Sequence, residues 1–545
     1  MSDTTVQNPE ADAPAAPPRP PVAAAPRLVF SDGDSAGKWA KTLSFMPLGQ
    51  AQHAMVGQLQ ALAAADFPPR ERAKIAEILR EQIGHLHTEL ARRYAGKPQP
   101  EGERETEAID QAVALWQALW EQYSTLLKPL IEGDADLQGV KAKVLQRGLF
   151  VGKQLVVVHG LARRVTPGTV WHEIHAYYRL AEVLDCAVTA VTDEQMPFGV
   201  GTSCYSIYSH ALLLALADPC AMSVRQIELT DRWLGQWSRK LFPYAQQRES
   251  EGPVIVVDLD STAGALIAPF APKDAPSAFR FGYPGKLATS VRGRLKRLAA
   301  GANPGELQLG QDVSVEQSSA LLAHLEARWC HAARVPTDEA DSTLALATGG
   351  LLCAFFRVGG RTFEREDKVD RTFHGAQQHL KSLAALTHYD RYKEDAEREW
   401  PWEKWQGHYE WRDAAMRRDD DGCYRWSLEQ LVVARDDERT RLGYSARVAR
   451  GLQGELTLML KLWPGTPRAL TMRPVSTSMA EEPPLPAVLL VESPEDRPTL
   501  IMQPRAFTPG RVLRSIDGGP ERRFRLTRLV QRGADFERVA FEDAV

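Results

Sequence analysis

The stretch "PPRERAKIAEILREQIGHLHTELARRYA" (68–95) sets the strongest limit on the fold. Ile75, Ile78, Leu79, Ile83, Leu86 and Leu90 recur three or four apart. That spacing lines one side of an α-helix and scatters over both faces of a strand. The prolines at its start suit a first helical turn, where the missing N–H is not needed. "ETEAIDQAVALWQALWEQYSTLLKPLI" (105–131) repeats the pattern with Ile109, Val113, Trp116, Leu119, Trp120 and Tyr123. Further helices are predicted over 136–160, 167–184, 203–217 and 223–241. The last opens with Ser223 and Gln226 in a capping-box arrangement. No fixed repeat period is present, which argues against a regular solenoid. Short connections between such helices predict antiparallel pairs in an all-α domain.

After residue 250 the pattern changes. A β-branched run at 253–258 reads as a buried strand, followed by helices near 287–300 and 314–332. "TLALATGGLLCAFFRV" (343–358) reads as extended, with a Gly-Gly break. Residues 362–415 are charged and aromatic and carry no clear period. From about 424, short apolar runs such as "QLVVARD", "ELTLMLKLW" and "AVLLVES" alternate with Gly, Pro and charge clusters, as in a small barrel or sandwich. The expected fold class is α+β: an N-terminal all-α helical domain, a mixed middle region and a C-terminal β-barrel. The expected divisions are a disordered leader over 1–27, a helical domain over 28–250, a mixed α/β region over 251–400 and a barrel domain over 401–545. The leader is rich in Pro and Ala and too poor in large apolar groups to offset its ordering entropy.

A formal net charge of −4 gives no global basic field, so a nucleic-acid polymer is not an expected partner. The six cysteines form no C-x-x-C pair and read as buried free thiols in a reducing cytoplasm. The longest apolar runs are far too short for a membrane span, and no secretory signal is visible, so a cytoplasmic location is expected.

Two segments invite a catalytic reading. "GPVIVVDLDSTAG" (252–264) ends a strand in Asp258, Asp260 and Thr262. In haloacid-dehalogenase-like phosphatases such a pair supplies a nucleophile, here Asp258, and a general acid, here Asp260. That chemistry needs a metal ion, a lysine and parallel βα units after the strand. The following segment shows no such helix, and Asp and Ser also end strands by seeding turns. The turn is the preferred reading. "WHEIHAYY" (171–178) places His172 and His175 three apart, where a zinc helix has them four apart, so packing is preferred over a metal site.

The order of segments resembles long betaproteobacterial proteins with a PilZ-type domain. "MPLGQAQHAMVGQLQALAAADFPPRERAKIAEILREQI", "HALLLALADPCAMSVRQIELTDRWLGQW", "GPVIVVDLDSTAG", "RLAAGANPGELQLGQD" and "GADFERVAFEDA" carry the resemblance. It implies a cyclic di-GMP effector without catalysis, acting through protein partners. In that family an Arg-x-x-x-Arg element before the barrel clamps phosphates, and an Asp/Asn-x-Ser-x-x-Gly element contacts a guanine edge. Here the first element falls in "EARWCHAARVP", where Arg334 is present but Cys330 stands four before it. The second falls in "WRDAAMRRDDDGCYRW", with Arg418, Asp420 and Cys423 in place of Asp/Asn, Ser and Gly. The resemblance therefore implies a degenerate ligand site, with Arg334, Arg412, Arg417 and Arg418 as the candidates for the phosphates. No cofactor beyond that possible ligand, no catalytic residue and no metal ligand is expected.

Overall fold

The computed structural model describes residues 27–193, 201–250, 252–332, 342–363, 393–410, 412–437, 439–475, 482–491, 496–517 and 521–544. The chain is α+β, as expected. Its helices are α1 (Gly33–Thr42), α2 (Leu48–Ala64), α3 (Pro69–Tyr94), α4 (Glu103–Ser124), α5 (Leu127–Glu132), α6 (Ala135–Gln138), α7 (Lys141–Leu161), α8 (Gly168–Val183), α9 (Cys204–Leu216), α10 (Val224–Trp237), α11 (Gly285–Ala299), α12 (Val315–Cys330) and α13 (Gly350–Gly359). α3 starts at its proline and buries Ile75, Leu79, Ile83, Leu86 and Leu90, the stripe expected of it. α4 buries Ile109, Trp116, Leu119, Trp120 and Tyr123. α7 is buried nearly all round, so it has no polar face and forms the centre of the domain. Gly148 lets α8 approach it: a Cβ there would stand 2.0 Å from the Tyr177 ring. At α10 the capping box is present, with Gln226 N–H donating to Ser223 Oγ and Ser223 N–H to Gln226 Oε1.

One apolar core runs from Phe30 to Cys330. It takes in β1 (Val254–Asp258), which lies between β2 (Leu266–Ala268) and β3 (Phe279–Gly282) in an antiparallel sheet. Ile255 and Val257 face the helical core. Val254 and Val256 pack with Phe281 on the other side. Burial on both faces explains the uninterrupted apolar run. α12 joins the same core through Trp329, whose indole N–H donates to the Leu213 carbonyl at 2.8 Å.

The C-terminal part closes two six-stranded barrels, where the sequence pointed to one. The first comprises β4 (Ser342–Ala347), β5 (Glu403–Glu410), β6 (Asp413–Arg418), β7 (Leu431–Arg435), β8 (Thr440–Arg450) and β9 (Leu456–Leu462), in the order β4-β5-β6-β9-β8-β7. The second comprises β10 (Pro467–Pro474), β11 (Leu485–Leu490), β12 (Thr499–Met502), β13 (Val512–Ser515), β14 (Arg523–Arg532) and β15 (Glu537–Ala544), in the order β10-β11-β12-β15-β14-β13. The segment 343–358, read as extended, is a strand and then a helix: β4 ends before the Gly-Gly pair and α13 begins at Gly350. α13 is a wedge between the barrels. Leu351, Cys353 and Ala354 share a cluster with Leu431 and Val433 of the first barrel and Val488 and Ile501 of the second.

The first barrel docks on the helical domain. Gln99 and Trp426 exchange backbone hydrogen bonds at 2.8 and 2.6 Å. Arg450 pairs with Glu101 and Asp421 at 3.2 Å each, Arg447 with Asp218 at 3.0 Å, and Arg425 with Glu105 at 2.5 Å.

Candidate functional site

Strand alternation builds the site. On β5, Glu403 and Trp405 point inward, while Lys404 and Gln406 point out. On β6, Ala414 and Met416 point inward and Arg417 points out. Thr343 of β4 pairs in register with Gln406, and Gln406 with Arg417, so the three stand in one row across the barrel face. Gly407 lets β5 and β6 meet closely. Its φ is +156°, and a Cβ there would lie 2.0 Å from the Ala415 carbonyl oxygen. The resulting hollow, of about 990 Å3, is lined by Thr343, Lys404, Gln406, Gly407, Arg417, Arg418, Asp419 and Asp420.

Arg418 is fixed from below. Glu403, only 4% exposed, accepts from the backbone N–H groups of Cys423 and Tyr424 at 2.6 and 3.0 Å and from the Trp405 indole at 3.2 Å. Its second oxygen lies 2.8 Å from Arg418 Nη1. The same guanidinium lies over the Trp405 ring, 5.9 Å from its centroid, and donates to Asp420. The Asp420 hydrogen bond, then the Glu403 and Asp420 charges, hold Arg418 above its usual pKa, and Arg418 in turn lowers that of Asp420. Arg417 is freer: its side chain is 60% exposed and pairs with Asp419 at 3.0 Å. Cys423 is exposed as a residue, but partial desolvation of its sulfur, with the hydrogen bond to Glu403, pushes the thiol up to about 11, so it stays protonated at neutral pH.

Of the four arginines singled out from the sequence, the structure brings Arg417 and Arg418 together. Arg412 sits at the far end of β6, about a strand length of ~17 Å away at ~3.3 Å per residue. Arg334 lies outside the described residues. Lys404, Glu403 and Trp405 were missed because β5 lay in the segment without a clear period. The partial signal is in "WQGHYE", where Trp405 and Tyr409 alternate with Gln406, His408 and Glu410, but Glu403 at an inward position hides the start of the strand.

The other candidates fall elsewhere. Asp258 ends β1 in an antiparallel sheet, so the parallel βα framework of the phosphatase reading is not built around it. Its Oδ1 accepts from the Asp260 N–H at 3.0 Å, and Asp260 pairs with Arg179 at 2.5 Å. The first is a contact within the turn and the second ties the turn to α8. His175 is buried, with its ring nitrogens 2.8 Å from the Tyr208 hydroxyl and 2.8 Å from the Ala263 carbonyl. It fastens the turn after β1 to the helical domain. Among the described residues no group of His, Cys, Asp and Glu could hold a metal ion. All six cysteines are free thiols. Five are buried, as read from the sequence, and Cys423 is exposed.

Fold and site together define a helical domain carrying tandem six-stranded barrels, with a guanidinium-lined hollow on the first. Among the described residues no helix is long and apolar enough to cross a membrane. Comparison with known families agrees at both ends of the chain. Residues 34–243 match the N-terminal domain of the cyclic-di-GMP receptor FimW, and residues 470–544 match the FimW C-terminal β-barrel domain. No curated protein and no solved structure matches the chain.

Proposed function

We propose that this chain is a non-enzymatic effector of the PilZ type, that cyclic di-GMP binds on the first barrel, and that the site is degenerate. The observation that carries the reading is the convergence of Lys404, Arg417 and Arg418 on one hollow of the first barrel, in a chain whose two ends match a cyclic-di-GMP receptor. Guanidinium groups suit this ligand twice over, since they donate in parallel to phosphate and stack on purine rings. Arg418 has its plane set in advance by Glu403 and Trp405, and Arg417, 60% exposed, is held by the exposed Asp419. Arg334, on the segment before β4, completes the phosphate clamp in this reading. Arg412 would reach only a ligand lying along β6.

The degeneracy has a physical form. Asp419 and Asp420 hold the same guanidinium groups that the phosphates need. Exposed pairs of this kind contribute little, so the phosphates can displace them at reduced affinity. Asp421, the next residue, pairs with Arg450, which also holds Glu101 of the helical domain. Displacing the acidic loop therefore reaches the interdomain contact, which supplies a route to protein partners.

Calorimetric titration with cyclic di-GMP tests the reading. Arg417→Ala and Arg418→Ala are expected to remove the heat of binding, and Arg334→Ala to weaken it. Asp419→Asn with Asp420→Asn is expected to tighten binding several-fold by removing the competing carboxylates. An isotherm unchanged in Arg418→Ala would take the ligand off this face. Absence of heat even in the double Asn variant would leave only the protein-binding role.

A further inference from the structure

A second hollow, of about 670 Å3, opens in the helical domain between α3, α4, α6 and α7. Its size falls within the range of small-molecule sites. Ala73, Ile78, Val140 and Val144 form an apolar wall. Ile78 accounts for the one residue of the α3 stripe that is not fully buried. The polar end holds Tyr123, Glu77, Arg147 and Lys143.

Two features of that end indicate a missing partner. Tyr123 is 1% exposed, yet its hydroxyl has no hydrogen-bond partner among the described residues. Buried hydroxyls are normally satisfied. The charges are also uneven. Among the described residues, the acids paired with Arg80, Arg147 and Lys143 are Glu77 and Asp193. Arg147 takes both Glu77 oxygens, at 2.7 and 2.8 Å, so Lys143 is left with a longer 3.5 Å contact to an occupied carboxylate. At the rim, apart from this end, Lys74 lies 3.5 Å from Asp34 and 3.9 Å from Glu71, and Arg70 and Asp136 also line the hollow. The polar end itself therefore sets three cations against two acids among the described residues, beside the Tyr123 hydroxyl and an apolar wall.

We infer that this hollow binds a small amphipathic monoanion, with an apolar body against Ala73, Ile78 and Val144 and an acidic head that accepts from the Tyr123 hydroxyl and meets the Lys143 charge. The site is independent of the barrel. A dinucleotide with two phosphates suits neither the apolar wall nor a single excess charge.

The full chain is titrated with 8-anilinonaphthalene-1-sulfonate, an aromatic monoanion, and with the uncharged N-phenyl-1-naphthylamine, following fluorescence. The expected result is saturable binding of the sulfonate, about tenfold tighter than that of the neutral dye. Ala73→Trp and Ile78→Trp, each filling the wall from a half-buried position on α3, are expected to abolish it. Tyr123→Phe and Lys143→Met are expected to weaken the sulfonate and leave the neutral dye unchanged. Circular dichroism checks that each variant is folded, and the two tryptophan variants stand in for each other. Sulfonate binding that persists in both folded tryptophan variants overturns the site. Equal binding of the two dyes overturns the anionic head.

Discussion

Asp193→Ala is expected to cost the helical domain about 3–5 kcal/mol, seen as an earlier helical transition in urea by circular dichroism. Asp193 is fully buried and meets Arg80 at 2.8 Å and Arg147 at 2.9 Å, both arginines being 2% exposed. Its removal leaves two buried guanidinium groups leaning on Glu77, with Gln146 and the Thr192 carbonyl still accepting from Arg147. Glu77 shows how strongly the cluster acts. Burial alone would raise its pKa, but the Arg147 hydrogen bond and the Arg80 and Arg147 charges pull it down to about 2. The cost comes from uncompensated buried charge rather than from a lost contact, so Asp193→Asn, which keeps one acceptor oxygen, should fall between the wild type and Asp193→Ala. Arg92→Ala is the control. It breaks an exposed pair with Glu89 (71% and 51% exposed) and is expected to change stability by less than about 0.5 kcal/mol. Equal effects of Asp193→Ala and Arg92→Ala would mean that the buried network carries no special weight.

Nothing in the sequence marks Asp193. It is one acid in a polar loop, and its partners lie 113 and 46 residues away. The helices from α3 to α12, by contrast, were legible to within a few residues, although 105–131 and 136–160 each read as one helix where there are two, and α1 and α2 were not singled out. Their stripes and caps are local, as at α3 and at Ser223 and Gln226. α13 was not, because "GLLCAFF" is apolar throughout and packs between two barrels, which removes the periodicity that separates helix from strand. β5 failed for the opposite reason. It buries Glu403 where a strand pattern expects an apolar residue, and only the tertiary contacts with Cys423, Tyr424, Trp405 and Arg418 make that carboxylate tolerable.

The candidate site divides along the same line. Arg417 and Arg418 could be named because an acidic run follows them and a family pattern points there. What turns them into a site is Lys404, Gln406 and the buried Glu403, contributed by a strand whose period is hidden. The interdomain contact has the same character. Arg450 and Glu101 stand far apart in the chain and are joined only by docking. Local signals therefore recover the elements, and long-range charge pairing decides what the elements present.

The second large effect is expected with pH. His87 and His159 are buried, and burial pushes each down to about 4 from an ordinary value near 6.5. Lys153 adds to this for His87 against the opposing pull of Asp231, and Arg164 adds to it for His159. His159 Nδ1 also has no partner among the described residues that would favour the charged ring. Above pH 6.5 neither the folded nor the unfolded chain protonates these rings, and the stability is fully present. Between about 6.5 and 4 the unfolded chain takes up protons that the fold refuses, so stability falls as pH falls. Each ring accounts for roughly 3 kcal/mol over that window. Below about 4.5 Glu77 continues the loss, because its folded pKa is depressed and its stabilising charge disappears as pH drops toward 2. Burial also lowers His175 and His210, so the unfolding free energy from urea titrations between pH 7 and pH 4 is expected to decline with a slope of at least about two protons. His159→Gln should lower that slope by about one proton. A flat profile between pH 6.5 and 4.5 would show that these rings are not held neutral in the fold.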